Sequence, residues 1–469
     1  KLNQLVNILL MTGIPKELVL VGDGFESDPF IYLCLYSILV DRQDPWMLWN
    51  KVKKEKAFKL TNKQNSQFLS KFYWPARSSA RLLAALFSVI LLLSACASND
   101  EIEESDDPLP LQDFQAKVKL DRQWSRSIGD GQGKHYDRLS IGFSALGSDD
   151  SAGDVYVASV DGIVARYNSA GKRLWRVKLR ETVSAGVGVG ADLALLATAN
   201  GEVVALAAAD GTERWRIDAR GEVLASPQAA GDQVIVQTYD GRVLGLSASD
   251  GEERWVFSSD VPLLTLRGTA TPLLEDGLVY VGLANGKIVV LDQESGVLRW
   301  SRALTIAKGQ SEIERIVDVD ATPLVTNSGV YAAAFQGYLY ALDPRSGQPR
   351  WRFEASSYRE LAEGFGNIYV VDEKSRLYAL DASSGELRWE QSELLRRELS
   401  APVVFDGFLL VADYKGYIHV LSQVDGRVVG RARVDGSGVR VPMRVVAGQL
   451  LVYANDGKIA AYSMETLAQ

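Results

Sequence analysis

The chain has 469 residues and a formal net charge of −8, with two histidines and two cysteines. The acidic excess argues against a nucleic-acid partner and against adhesion to anionic lipid headgroups by charge alone. After Cys96 the chain has no cysteine and only His135 and His419. This excludes a paired-histidine metal site and a thiolate site there, and makes a Ser-His-Asp triad a poor explanation of the sequence.

Residues 1–74 do not fit the organisation of the rest of the chain. A secretion signal stands at the beginning of a protein, yet the segment with the composition of such a signal lies at residues 75–95. We therefore interpret residues 1–74 as an unrelated upstream fragment or the product of a mistaken start.

Residues 75–95 have the parts of a lipoprotein signal peptide. Arg77 and Arg81 precede an apolar run at residues 82–93, and Leu93-Ser94-Ala95-Cys96 then forms a lipobox. The apolar run is about 12 residues long, which is too short to span a hydrocarbon core of about 30 Å, so it favours a cleaved signal over a membrane anchor helix. We expect Cys96 to become the lipidated first residue of the mature protein.

The residues after the lipobox predict to which membrane the protein is sent and how its folded domain is connected to that membrane. Ala97 stands where an aspartate would resemble an inner-membrane retention signal. We therefore expect a lipid-anchored protein on the periplasmic side of the outer membrane. Residues 96–113 are polar and acidic, as in a disordered tether, which leaves residues 114–469 for the folded domain.

Seven tryptophans recur at intervals of roughly 40 to 50 residues in the rest of the chain, which indicates a repeat protein. They are Trp124, Trp175, Trp215, Trp255, Trp300, Trp351 and Trp389. Six of them stand four residues after a glycine. A degenerate copy follows at Gly426 and Gly430, in which glycine replaces the tryptophan.

Each repeat also contains a hairpin, with a turn such as Asp240-Gly241 between two apolar strands. Eight such hairpins occur, and no stretch between them has the 3.6-residue period of a packed helix. Four short strands in about 40 residues make one propeller blade. Trp124 lies in an isolated strand at residues 118–125. We therefore predict an all-β, eight-bladed β-propeller of four-stranded antiparallel blades, whose last blade is closed by the N-terminal strand.

The repeats resemble the pyrroloquinoline-quinone-like propeller family. The resemblance lies in Ala341-Leu342-Asp343 followed by Gly347 and Trp351, and it implies that each indole ring docks on a neighbouring blade. It also gives the alternative function, a quinone-dependent periplasmic dehydrogenase. Such enzymes are longer and carry a quinone pocket, a calcium site and commonly adjacent cysteines, for which this sequence has no counterpart. We expect no enzymatic activity, no cofactor and no metal.

Two neighbouring intervals are stretched, Trp255 to Trp300 and Trp300 to Trp351, and their extra residues mark a candidate binding surface. The first insertion contains Leu264, Leu266 and Arg267, and the second contains Asp318 and Asp320. Apolar anchors beside an arginine are typical of a protein-binding hot spot, and carboxylates beside them set orientation. The alternative is that the leucines belong to a strand core and the aspartates cap a turn.

The signal, tether, propeller and both insertions together resemble the lipoprotein propeller subunits of the outer-membrane β-barrel assembly machinery. In that family, segments matching Leu264, Leu266 and Arg267, and Asp318 and Asp320, bind POTRA domains of the central barrel subunit. The resemblance implies a non-catalytic scaffold that assists folding and insertion of outer-membrane proteins. Unfolded outer-membrane proteins are a further candidate partner.

Overall fold

The computed structural model describes residues 107–133, 139–140, 142–143, 153–262, 264–265, 270–306 and 316–467. The chain divides into two compact units, Lys1–Ser105 and Asp106–Gln469, and all described residues belong to the second. The predicted upstream fragment, the signal peptide and Cys96 lie outside the described residues. Leu266 and Arg267 also lie outside them.

The first four blades are four-stranded antiparallel sheets whose strands follow one another in the chain. Blade 1 contains β2 (Gly142–Phe143), β3 (Val155–Ala158), β4 (Ile163–Tyr167) and β5 (Arg173–Lys178), and blade 2 contains β6 (Val183–Gly190), β7 (Leu193–Thr198), β8 (Glu202–Ala207) and β9 (Glu213–Asp218). Blade 3 contains β10 (Gln228–Ala230), β11 (Gln233–Gln237), β12 (Arg242–Ser247) and β13 (Glu253–Ser258), and blade 4 contains β14 (Leu273–Glu275), β15 (Leu278–Gly282), β16 (Lys287–Asp292) and β17 (Leu298–Ala303).

The next three blades repeat this arrangement, and the last blade combines strands from both ends of the described chain. Blade 5 contains β18 (Leu324–Thr326), β19 (Gly329–Ala333), β20 (Tyr338–Leu342) and β21 (Pro349–Glu354), and blade 6 contains β22 (Ala362–Gly364), β23 (Asn367–Val371), β24 (Leu377–Asp381) and β25 (Leu387–Gln391). Blade 7 contains β26 (Val403–Phe405), β27 (Phe408–Ala412), β28 (Tyr417–Ser422) and β29 (Val428–Arg433), and blade 8 contains β30 (Arg444–Val446), β31 (Gln449–Tyr453), β32 (Lys458–Thr466) and β1 (Val118–Ser127). The predicted eight-bladed all-β propeller is confirmed, and the described residues include no helix.

The strand order gives the propeller two distinct faces. We name the strands of each blade a to d in the order in which they pair. Because neighbouring strands are antiparallel, the a–b and c–d turns lie on one face, called the lower face here. The b–c turns and the d–a connections between blades lie on the other, called the upper face. Hydrogen bonds hold these connections there, as from Ser259 N to Gly241 O (3.0 Å).

Burial follows the position of a strand in its blade. Every residue of β7 and β11, two b strands, is buried, whereas β13 and β21, two d strands at the rim, alternate between exposed and partly buried residues. The b and c strands are covered on both faces because each sheet packs between two other sheets. The apolar clusters accordingly join neighbouring blades, as where Leu195 and Val236 belong to one cluster.

The tryptophans join neighbouring blades in one repeated geometry, as predicted. Each indole Nε1 donates to a backbone carbonyl in the c–d turn of the following blade, at 2.8–3.0 Å. The ring also lies against the glycine of that turn. A Cβ atom placed on Gly211 would come within 2.8 Å of the Trp175 ring. The glycine of one repeat and the tryptophan of the preceding repeat therefore form a single contact between blades.

The degenerate eighth copy has a topological cause. In blade 8 the c strand is β32 and the d strand is β1, so no c–d turn joins them and a docked indole would have no carbonyl to bind. Gly430 occupies the tryptophan position of β29, and a Cβ atom there would lie 2.8 Å from the Val118 side chain. The ring is closed by pairing of β1 with β32 within blade 8, from Val118 opposite Thr466 to Ser127 opposite Lys458.

Residues 107–117 differ from the expected tether because they lie along the outer side of blade 7. Leu109 N donates to Leu395 O (3.2 Å) and Lys117 N donates to Val429 O (2.8 Å). Leu111 and Phe114 pack against the apolar cluster between blades 6 and 7. The part of the chain in contact with the propeller therefore begins at residue 107 or before, rather than at residue 114.

Candidate functional site

Both long insertions are d–a connections and therefore lie on the upper face. The first connection joins β13 to β14 and the second joins β17 to β18. The b–c turn of blade 4 holds the start of both, because Asn285 Nδ2 donates to Ser259 Oγ (3.0 Å) and Leu304 N donates to Gly286 O (2.9 Å). The geometry thus supports the hypothesis that the two insertions form one surface.

The described parts of the two connections expose apolar side chains. Leu264 is 45% exposed and Ile306, on the neighbouring connection, is 72% exposed. Beside Leu264, the hydroxyl of Thr265 lies 2.6 Å from the hydroxyl of Tyr239, which ties the connection to the b–c turn of blade 3. An exposed leucine on a connection with a fixed attachment point is a suitable anchor for a protein partner.

The two aspartates of the second insertion lie below the surface. Asp318 is 1% exposed and Asp320 is 7% exposed. Asp318 O accepts a hydrogen bond from Phe335 N (2.8 Å), which fixes the backbone against the b–c turn of blade 5. Side chains buried to this degree offer a partner little contact area, so their contribution to binding would come through the shape and charge of the surface above them.

Close backbone packing brings Asp318 and Asp320 to this position. A Cβ atom on Gly282, at the end of β15, would lie 2.1 Å from Val319 O. Any other residue would push the second connection away from blade 4, because a contact that short does not occur between real atoms. Gly282 therefore determines how deep the two aspartates lie.

A small pocket opens between blades 3 and 4 beside the first connection. Its lining includes Gln237, Tyr239, Val261, Leu283 and Asp318. Gln237 Nε2 donates to Gly282 O (2.8 Å) across the blade boundary. The pocket thus places one of the candidate aspartates and the attachment point of the Leu264 connection around the same depression.

The aromatic residues of the neighbouring b–c turns were not singled out from the sequence, because only the long insertions were considered. Tyr239 and Phe335 each precede a turn pair, Asp240-Gly241 and Gln336-Gly337. Tyr414 takes the same position in blade 7, and the other five repeats have Val160, Ala199, Ala284, Glu373 and Asn455 there. Phe335 also lies 6.3 Å from the Tyr358 ring, centroid to centroid. An aromatic residue at this repeat position was the available signal.

The described residues provide no cluster of His, Cys, Asp or Glu suited to a metal ion. His419 is fully buried in β28 and contacts Asp413, so it lies in the interior of the fold. Within the described part of the chain there is no helix that could cross a membrane.

The comparisons with known proteins agree on one family. The family model described as "Outer membrane protein assembly factor BamB" matches residues 160–391 and 384–469. The protein of that name from Pseudomonas aeruginosa is 47% identical over 382 residues, covering 81% of this chain and 98% of the relative. The protein of that name from Escherichia coli K12 is 37% identical over 389 residues, covering 81% and 97%.

Solved structures give the same fold. The crystal structure of BamB from Moraxella catarrhalis has a TM-score of 0.67 and 28% identity, covering 73% of this chain and 99% of that one. The quinohemoprotein alcohol dehydrogenase from Comamonas testosteroni has a TM-score of 0.59 with 13% identity, covering 75% and 78%. Identity that low shows a shared fold and carries nothing about activity.

Proposed function

The chain belongs to the BamB family of outer membrane protein assembly factors, and we propose that it is a non-catalytic scaffold of the machinery that folds and inserts β-barrel proteins. The observation that carries the proposal is the match to assembly factors over 97–98% of the relatives' length. The quinone-dependent dehydrogenase is disfavoured, because its support reduces to the common propeller fold.

We propose the upper face of blades 3 to 5 as the docking surface for POTRA domains of the central barrel subunit. Leu264, Leu266 and Arg267 would contact the partner directly. Asp318 and Asp320 would shape and charge the same surface from beneath. The exposure of Leu264 and Ile306 supports this assignment, as does the attachment of both connections to the b–c turn of blade 4.

The same proposal places the protein on the periplasmic side of the outer membrane, anchored through lipidated Cys96. The lipobox at residues 93–96 supports the anchor, and two or more acyl chains give stable attachment. Direct binding of unfolded outer-membrane proteins belongs to the proposal as a second contact of the scaffold.

The proposed docking surface predicts that substitutions in it weaken binding of the POTRA domains without lowering the stability of the propeller. Leu264→Asp and Arg267→Glu should each reduce affinity for the isolated POTRA domains by at least about thirtyfold, equivalent to about 2 kcal/mol, because a hot-spot contact is lost. The unfolding free energy of each variant should change by no more than about 0.5 kcal/mol, since Leu264 is exposed and the proposal assigns Arg267 to the same partner-facing surface. Titration calorimetry and thermal melts of each variant provide the two measurements.

Leu298→Asp is the matched control for Leu264→Asp. Leu298 is also 45% exposed, but it begins the d strand of blade 4 next to the lower face. Its substitution should leave the affinity unchanged. If the Leu264 and Leu298 variants bound equally well, the surface would be wrongly assigned even though the family is known.

The proposed anchor predicts a change of location without a change of fold. Cys96→Ser removes the thiol that would be acylated, and it changes none of the residues that the structure describes in the propeller. The variant should move from the membrane fraction to the soluble periplasmic fraction with an unaltered melting temperature. Retention in the membrane after a salt wash would contradict the anchor.

A further inference from the structure

The segment formed by residues 107–117, named the docked segment here, is held to blade 7 by two arginines. Arg397 Nη1 donates to Leu109 O (2.9 Å), and Arg431 Nη2 donates to Gln112 O (3.2 Å). The Arg431 guanidinium also covers the Phe114 ring at 4.8 Å from its centroid. Both arginines reach the segment from the propeller, and their contacts add to the backbone hydrogen bonds of Leu109 and Lys117.

The two arginines are positioned by one buried pair, Asp413 and His419. Arg397 donates from Nε (2.9 Å) and Nη2 (2.5 Å) to Asp413 Oδ2, and His419 Nε2 lies 3.2 Å from the same oxygen. Arg431 Nε donates to His419 Nδ1 (3.3 Å). The contacts form a chain from Asp413 through His419 to Arg431 and the docked segment.

This arrangement requires a neutral imidazole. An arginine has no lone pair and can only donate, so Nδ1 of His419 must accept and must carry no proton. Nε2 then carries the proton and donates to Asp413. A proton added at Nδ1 would place this N–H opposite the N–H of Arg431 Nε, so that two donors face each other with no acceptor. It would also add the charge of His419 to those of Arg397 and Arg431 beside the single carboxylate of Asp413.

We propose that the docked segment is a pH-sensitive latch, which lies on blade 7 while His419 is neutral and detaches when Nδ1 takes up a proton. Protonation would displace Arg431 from His419. The displaced guanidinium would lose Gln112 O and uncover Phe114, which removes two of the contacts that hold the segment.

The charged and titratable groups that face His419 lie on several elements. Asp413 lies in the b–c turn of blade 7, Arg397 on the connection between blades 6 and 7, and Arg431 on β29. Tyr417 lies on β28 with His419, and the centroids of their two rings are 6.3 Å apart. Asp113 of the docked segment faces Arg431 and partly balances its charge. Two arginines thus face one buried carboxylate. This excess of positive charge opposes the addition of a further positive charge on His419.

The direction of the pH effect follows from burial. Burial lowers the pKa of His419; Asp413 opposes this while Arg431 and Arg397 add to it, and the pKa lies below its ordinary value of 6.5. The unfolded chain therefore binds the proton more readily than the folded one, and stability is lost as pH falls below about 6.5. The latch is closed at neutral pH and opens as pH falls through the pKa of the buried ring.

In the anchored protein, which rests on the proposed lipidation of Cys96, release would lengthen the tether. Residues 107–117 would then add free chain between the propeller and the anchor. The added reach is at most roughly 35–40 Å, from about 3.3–3.6 Å per residue. The latch would then set how far the docking surface can move from the membrane.

Hydrogen exchange of the full-length chain at pH 8 and pH 5, corrected for the intrinsic rates, tests the latch without a membrane or a partner. We expect protection of the amides in residues 107–117 to fall at least about tenfold at pH 5, since local opening sets exchange. Protection of β16 in blade 4 should stay constant. Equal protection of the docked segment at both pH values would overturn the proposal, whatever the fate of the proposed function.

Two variants test whether His419 is the group whose protonation releases the docked segment. His419→Gln keeps a side chain that can donate and accept but does not titrate, so protection should be high at both pH values; loss at pH 5 in this variant would also overturn the proposal. Phe114→Ala should leave the segment exchanging rapidly at both. If His419→Gln fails to fold, NMR titration of the His419 ring replaces this variant, in a His135→Asn background that leaves a single histidine. The midpoint of that titration must match the pH at which half of the protection is lost.

Discussion

Replacing Trp389 by alanine is expected to lower the free energy of unfolding by about 3–5 kcal/mol, the range for emptying a buried aromatic site. The indole is 9% exposed and lies in the cluster between blades 6 and 7, and its Nε1 donates to Gln423 O (2.9 Å). The substitution would remove both the apolar contact and the hydrogen bond that join the two blades. Chemical denaturation of the wild-type and variant chains measures the difference.

Gly426 provides the partner for a double-mutant cycle. Its φ is 71°, and a Cβ atom there would lie 2.6 Å from the Trp389 ring. Gly426→Ala should therefore add a steric clash to the cost of left-handed backbone, which is about 1–2 kcal/mol. In the Trp389→Ala background the clash disappears, so the effect of Gly426→Ala should shrink by at least about 1 kcal/mol.

Gly366→Ala isolates the backbone contribution. Gly366 also has a φ of 71°, but a Cβ atom placed there would have nothing within 4 Å. Its substitution should cost only the left-handed penalty. Additive effects of Trp389→Ala and Gly426→Ala would mean that the ring does not dock on the glycine, contrary to the contact described for all seven tryptophans.

The second large effect is expected for Asp413→Ala, at about 3–5 kcal/mol of unfolding free energy, because removal of one partner leaves a buried charge unpaired. The Asp413 side chain is fully buried and that of Arg397 is 4% exposed. Asp413 Oδ1 also accepts from Lys415 N and Tyr417 N, both at 2.9 Å, so the b–c turn of blade 7 loses its cap.

Asp425→Ala is the control for this substitution. Asp425 forms a 3.4 Å ion pair with Arg427, whose side chain is 83% exposed. A solvated pair of this kind contributes less than about 1 kcal/mol. Denaturation midpoints of the two variants at one pH give the comparison. A loss of stability for Asp413→Ala no larger than for Asp425→Ala would show that the buried cluster does not hold blade 7 together.

The architecture could be predicted because it depends on local patterns repeated many times. A turn pair such as Asp240-Gly241 has the same conformational preference wherever it occurs, and eight copies leave little room for another fold. The isolated strand with Trp124 predicted the closure, since an unpaired strand at one end matches a blade one strand short at the other.

The candidate surface could be predicted only in part. An insertion shows where a connection is long, and the alternation of strands places it on one face, which brought Leu264 and Asp318 to the same side of the ring. How deep each side chain lies depends on neighbours distant in sequence, such as Gly282 against Val319. The burial of Asp318 and Asp320 was therefore decided by packing.

Three features followed from local sequence patterns alone, namely the number of blades, the closing strand and the positions of the tryptophans, because each rests on short segments whose preferences do not depend on the rest of the chain. Long-range packing was needed to establish which glycine each indole contacts, why Gly430 replaces a tryptophan, and that residues 107–117 dock on blade 7. These contacts join residues far apart in the chain, as Arg431 and Gln112 do. Their energy comes from burial and charge pairing that exist only after the ring has closed.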